Sequence, residues 1–93
     1  MCLEIKLKVE DFDKWKTNFE NNVGLRKEYG SRGAVAYSDP EARNDVTIVI
    51  KAMNKADVAR SRESGEFQQA MKDSGVVGEP QMRFLTFVNE LET

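Results

Sequence analysis

Apolar and polar positions alternate from the start of the chain. Leu3, Ile5, Leu7 and Val9 are interleaved with Glu4, Lys6 and Lys8, a period of two that predicts a strand with one buried face. The period then changes. Phe12, Trp15, Phe19 and Val23 recur at steps of three, four and four, which predicts a helix with one apolar stripe. Asp11 can accept from a free amide at its start, and Asp13 adds negative charge where the helix dipole is positive. Gly24 is the expected interruption. Leu25 and Tyr29 continue the stripe, and Gly30 can take the left-handed conformation that closes a helix. Residues 33–38 read as a short second strand with Val35 and Tyr37 on one parity, followed by a loop flanked by Asp39-Pro40 and Asn44-Asp45. Residues 46–50 are rich in β-branched side chains and predict a central third strand. Asn54 can cap a second helical region running to about residue 73, which Ser64-Gly65 divides into two short helices. Gly78-Glu79-Pro80 reads as a turn before a last strand over 81–88. There Met82, Phe84 and Val88 share one parity, and Leu85 and Phe87 the other.

This order, strand, helix, strand, strand, helix, strand, predicts one α+β domain over residues 1–93. Its four-stranded antiparallel sheet should carry both helices on one face. The other face is then bare, with Val49, Leu85 and Phe87 expected on it. Uncovered apolar surface of this kind marks an interface, so the expected partner is a second copy of the chain, packed sheet against sheet in a closed two-fold dimer. The alternative is a monomer with a few exposed apolar residues.

Composition narrows the function more by exclusion than by assignment. Apolar residues make up 40% of the chain and charged residues 32%, the balance of a folded globular domain and not of a disordered one. A net charge of -2 argues against nucleic acid as a partner. The longest apolar runs fall far short of the ~20 residues needed to span a bilayer. The N-terminus lacks the continuous apolar core of a signal peptide, so no membrane partner and a cytoplasmic location are expected. Cys2 is the only cysteine, which rules out an intrachain disulfide, a four-cysteine zinc site and a Cys-x-x-Cys metal carrier. With no histidine, neither histidine-based acid–base catalysis nor a histidine-ligated haem is possible. Strand three has no aromatic on which RNA bases would stack. The acids Glu10, Asp11 and Asp13 after strand one would repel phosphate.

The residues resemble those of the dimeric α/β-barrel family of ferredoxin-like βαββαβ domains, which includes antibiotic-biosynthesis monooxygenase-like and cyclase-like proteins. The similarity is to small, uncharacterised members. It is carried by Val9-Glu10-Asp11-Phe12-Asp13-Lys14-Trp15-Lys16 with Phe19 and Arg26, by Gly30 and Gly33, by Asp39-Pro40, and by residues 64–71 followed by Gly75-Val76-Val77-Gly78-Glu79-Pro80. It covers nearly the whole chain and concerns helix starts, buried aromatics and turns, so it specifies architecture and not chemistry. It implies that two sheets close into a barrel across a dimer. A ligand pocket would then lie between each sheet and its helices, or inside the barrel.

Candidate chemistry sits on the parity opposite the strand-one core residues. Glu4, Lys6 and Lys8 should share the bare face with Thr47, Lys51 and Arg83. The set either lines a polar cavity or is solvated and paired across strands, Glu4 with a lysine or arginine. Tyr37 offers a phenol able to hydrogen-bond a carbonyl or phenolate. Glu4, Lys6, Tyr37, Thr47 and Arg83 are therefore the candidate ligand-binding residues, with no catalytic residue assigned. Trp15 reads as core by its helical spacing, Arg26 as an exposed helix arginine, and Met53, Met71 and Met82 as packing, not metal ligands. Two functions fit. One is a dimeric binding or assembly module for a small apolar or aromatic ligand. The other is a cofactor-independent monooxygenase or cyclase acting on an aromatic polyketide-like or quinol-like substrate, in which Tyr37 and Lys6 or Arg83 stabilise an enolate or phenolate. Neither requires a metal or cofactor.

Overall fold

The computed structural model describes all 93 residues. Strand β1 (Cys2–Val9) leads into helices α1 (Phe12–Asn21) and α2 (Val23–Glu28). A hairpin of β2 (Gly33–Asp39) and β3 (Ala42–Lys51) follows, then α3 (Lys55–Glu63), α4 (Gly65–Asp73) and β4 (Val76–Leu85). The strands form one antiparallel sheet in the order β2-β3-β1-β4, with β1 and β3 central. All the helices lie on one face, as the βαββαβ pattern predicts. No helix is long and apolar enough to cross a membrane.

Local chemistry sets the helix boundaries. The Asp11 carboxylate accepts from the Asp13 and Lys14 amides and starts α1. Asn54 caps α3, accepting from the Asp57 amide at 2.8 Å while the Asp57 carboxylate accepts from the Asn54 amide. Ser64 caps α4 through the Glu66 amide, so the second helical region is split where the sequence predicts. The first region breaks at Asn22, not at Gly24. At the break the Phe19 carbonyl accepts from the Asn22 amide and from the Arg26 guanidinium at 2.6 Å. Gly24 lies inside α2 with nothing near its missing side chain. Gly30 ends the region in the left-handed conformation, φ +95°. A Cβ there would come within 2.7 Å of the Asp57 carboxylate, so the chain can turn this close to α3 only with glycine.

The core is built as the two periodicities require. Leu3 and Val9 from β1, Val46, Ile48 and Ile50 from β3, Trp15 from α1, Met53 and Val58 are buried together. Each such side chain contributes about 1.5–3 kcal/mol when fully removed from water. Phe12, Trp15 and Phe19 form a continuous aromatic run, with ring centroids 5.8 and 5.0 Å apart.

Two strands differ from the sequence expectation. The β2–β3 turn is confined to Pro40 and Glu41, so Asn44 and Asp45 belong to β3 and not to a loop. β4 begins five residues earlier than expected and ends at Leu85. Gly78-Glu79-Pro80 is not a turn but a bulge inside β4, where the register with β1 shifts between Lys6↔Gln81 and Lys8↔Val77. Gly78 supplies the positive φ, +72°, that the bulge needs. Phe87 and Val88 consequently lie beyond the strand, 71% and 85% exposed. Of the three apolar residues expected on the bare face, Val49 and Leu85 are in place and Phe87 is not.

Candidate functional site

The helical layer does not seal against the sheet. α4 has no fully buried residue, and a cleft of about 490 Å³ remains between it, α1–α2 and the sheet. This falls in the usual range for small-molecule sites, about 300–1,000 Å³. Fifteen of the 23 residues around it are hydrophobic, so a ligand here would be held chiefly by apolar contact. Ile5, Leu7 and Met82 form the floor, with Phe19 and Leu25 on one wall and Phe67 and Met71 on the other.

A few polar groups interrupt this lining. The Ser61 and Ser74 hydroxyls donate to Val58 and Ala70 carbonyls of their own helices and have no proton left to offer a ligand. Arg62 is exposed, with one guanidinium nitrogen 3.4 Å from the Met82 sulfur. Gln68 donates to the Arg62 carbonyl. Asn22 and Glu79 complete the set. Arg26 is the unusual member. Its guanidinium lies 3.9 Å over the Phe19 ring and donates to the Phe19 carbonyl, but it forms no salt bridge with any carboxylate. Burial disfavours its charged form and lowers its pKa from the usual arginine value, though an arginine remains a cation at neutral pH. The sequence reading, which took Arg26 for an exposed helix arginine, is corrected here. α2 turns inward after the break at Asn22 and carries the side chain to the cleft.

The candidates on the opposite face are brought together by register. Across the sheet, Val35, Val49, Glu4 and Arg83 form one row, and Tyr37, Thr47, Lys6 and Gln81 the next. Arg83 Nε donates to Glu4 Oε1 at 2.8 Å, with Nη2 at 3.4 Å from Oε2. Lys8 pairs with Asp45 at 3.8 Å. The charges on this face are thus partly neutralised across strands, the second of the two arrangements that the sequence allows. The hydrogen bond to Arg83 holds the Glu4 carboxyl below its ordinary pKa, and Glu4 in turn raises that of Arg83. Lys6, Tyr37 and Thr47 line a more open, more polar trough of about 590 Å³ that reaches Gln81 and Glu79. Tyr37 is 62% exposed.

The backbone has close counterparts among solved structures. A candidate antibiotic biosynthesis monooxygenase from Bordetella bronchiseptica superposes with a TM-score of 0.80 at 19% identity, over 95% of this chain and 97% of that one. The fold is that of the antibiotic biosynthesis monooxygenases. SnoaB, a cofactor-independent oxygenase from Streptomyces nogalater, superposes with a TM-score of 0.73 at 9% identity over 99% of this chain and 96% of its own. A third candidate monooxygenase of this fold, from Deinococcus radiodurans, matches over 100% of both chains with a TM-score of 0.63 at 10% identity. No protein-family model matches the chain, and no curated protein matches it in sequence. The antibiotic biosynthesis monooxygenase fold is therefore shared at the level of backbone, at 9–19% sequence identity.

Proposed function

We propose that the chain binds a small apolar or aromatic molecule in the cleft between sheet and helices, and that it acts on an electron-rich, quinol-like or polyketide-like substrate as an oxygenase without a cofactor. The observation that carries this reading is the cleft itself: an apolar space of about 490 Å³ walled by Phe19, Phe67 and Met71, on a backbone shared with a cofactor-independent oxygenase. Such chemistry asks little of the protein. A fixed cation beside a bound phenol or enol favours its anion against the opposing cost of desolvation, and that anion can give an electron to dioxygen. The superoxide so formed recombines with the carbon radical and takes up a proton, and the hydroperoxide loses water to leave a carbonyl, so one oxygen atom enters the product and the other leaves as water. Arg26 and Arg62 are the cations at hand. We further propose that two copies pack through the bare sheet face, placing Glu4, Lys6, Tyr37, Thr47 and Arg83 between them.

Oxygen uptake measured with a panel of hydroquinones and polyphenols tests the oxygenase reading. Substrate-dependent uptake that is lost in Ala70→Trp, which fills the cleft from α4, supports it. Uptake that is absent throughout, while an apolar fluorophore still binds and is displaced by Ala70→Trp, leaves a binding protein. Uptake unchanged in Ala70→Trp but lost in Tyr37→Phe or Arg83→Ala would move the site to the other face of the sheet.

A further inference from the structure

Arg26 is built into the cleft in a way that a purely architectural role does not require. The guanidinium rests on Phe19, 3.9 Å from the ring centre, and Phe19 in turn stacks on buried Trp15 at 5.0 Å with 23° between the rings. The guanidinium is thus the outer layer of a three-layer stack. One nitrogen is spent on the Phe19 carbonyl at 2.6 Å. The cations that do pair with a carboxylate, Lys8, Lys16, Arg43, Arg60 and Arg83, all lie toward solvent. Arg26 is half-buried without one.

A desolvated cation costs free energy until an anion offsets it, and an arginine fork presents its donors in the plane that suits a carboxylate or a similar oxyanion. The rest of the lining agrees in sign, since Arg62 adds a second guanidinium with no carboxylate partner and Glu79 is the one acid. We infer that Arg26 is the specificity-determining residue of the cleft, selecting aromatic ligands that carry an acidic group over neutral ligands of the same ring system. The inference rests on the cleft being the ligand site, as proposed above, and adds the charge of what it takes. An aromatic acid would place its ring among Phe19, Phe67 and Met71 and its oxyanion against Arg26. A cationic ligand would be rejected.

Two fluorescent probes with a shared ring system separate the charge from the cleft. 8-Anilinonaphthalene-1-sulfonate carries an anionic group, and N-phenyl-1-naphthylamine is its neutral counterpart. Both should bind the wild-type chain, and both should be lost in Ala70→Trp. In Arg26→Gln, which removes the charge and keeps a shorter amide donor, affinity for the sulfonate should fall about tenfold or more, the usual effect of losing a charged hydrogen bond. The neutral probe should change less than about twofold, because apolar contact alone holds it. Arg26→Lys should recover part of the sulfonate affinity by restoring charge without the planar fork. Sulfonate affinity unchanged in Arg26→Gln, or an equal loss for both probes, would overturn the inference while leaving the cleft as a site. Neutral-probe binding that is absent from the wild type, or indifferent to Ala70→Trp, would instead defeat the cleft reading and the inference with it. Circular dichroism of each variant establishes that the fold persists.

Discussion

At the scale of single residues, the Glu4–Arg83 pair has a measurable signature. The Glu4 carboxylate accepts from Arg83 across strands, and its side chain is only 13% exposed. That hydrogen bond lowers the Glu4 pKa, as Arg60 and the Asn54 amide lower that of Asp57. A carboxylate whose pKa is lower folded than unfolded adds stability that is fully present at neutral pH and is lost as the pH falls through the folded value. The thermal midpoint should therefore hold nearly level from pH 7 to about 5 and decline below about pH 4, near the ordinary carboxylate range. Glu4→Gln should flatten part of that decline. Superimposable wild-type and Glu4→Gln profiles would show that the pair adds nothing to stability. The same pair shows what a sequence can and cannot convey. Alternation in β1 puts Glu4 on the face opposite Leu3 and Ile5, but its partner depends on a register that the bulge in β4 shifts.

At the scale of elements, the cap of α3 is the most exposed to test. Asn54 and Asp57 satisfy each other's backbone amides, and Asn54→Ala removes the side-chain acceptor. It should destabilise the fold by about 1 kcal/mol, read as a lower denaturation midpoint at unchanged slope. No change beyond experimental error would mean that packing alone holds the helix start. Caps and stripes of this kind were legible in the sequence because they act over three or four residues: Asp11, Asn54 and Ser64 all begin helices where expected. The elements that diverged depend on contacts distant in sequence. Gly78-Glu79-Pro80 has the composition of a turn, and only pairing with β1 on either side makes it a bulge. The break at Asn22 is supported by a side chain seven residues beyond Phe19. The cleft was least legible of all as a set of residues. Its walls come from all four helices and three strands, and Arg26 gave only a helical position, with no sign of which way α2 would turn.

At the scale of the whole molecule, the sheet presents Val35, Val49, Leu85 and Cys2 to the outside among Lys6, Lys51 and the Glu4–Arg83 pair. If two copies cover this face, light scattering during gel filtration should give about twice 10.6 kDa at micromolar concentration. Val49→Lys, which sets a charge near the middle of the face, should shift the mass toward one chain, because an unpaired buried charge costs several kcal/mol. A monomeric wild-type mass would remove the dimer from the proposed function and leave the cleft, which belongs to one chain alone. The bulge in β4 bears on a different matter, the behaviour of the sheet at its margins. β4 and β2 are the two edge strands, and a regular edge is a template on which further strands can grow. β4 carries a left-handed glycine at 78 and, two residues on, Pro80, which has no amide hydrogen to give. That margin is blunted. Strand-by-strand growth, whether into a larger assembly or toward aggregation, therefore has a more favourable starting line in this molecule, the edge of β2, whose register with β3 is regular from Gly33 to Ser38.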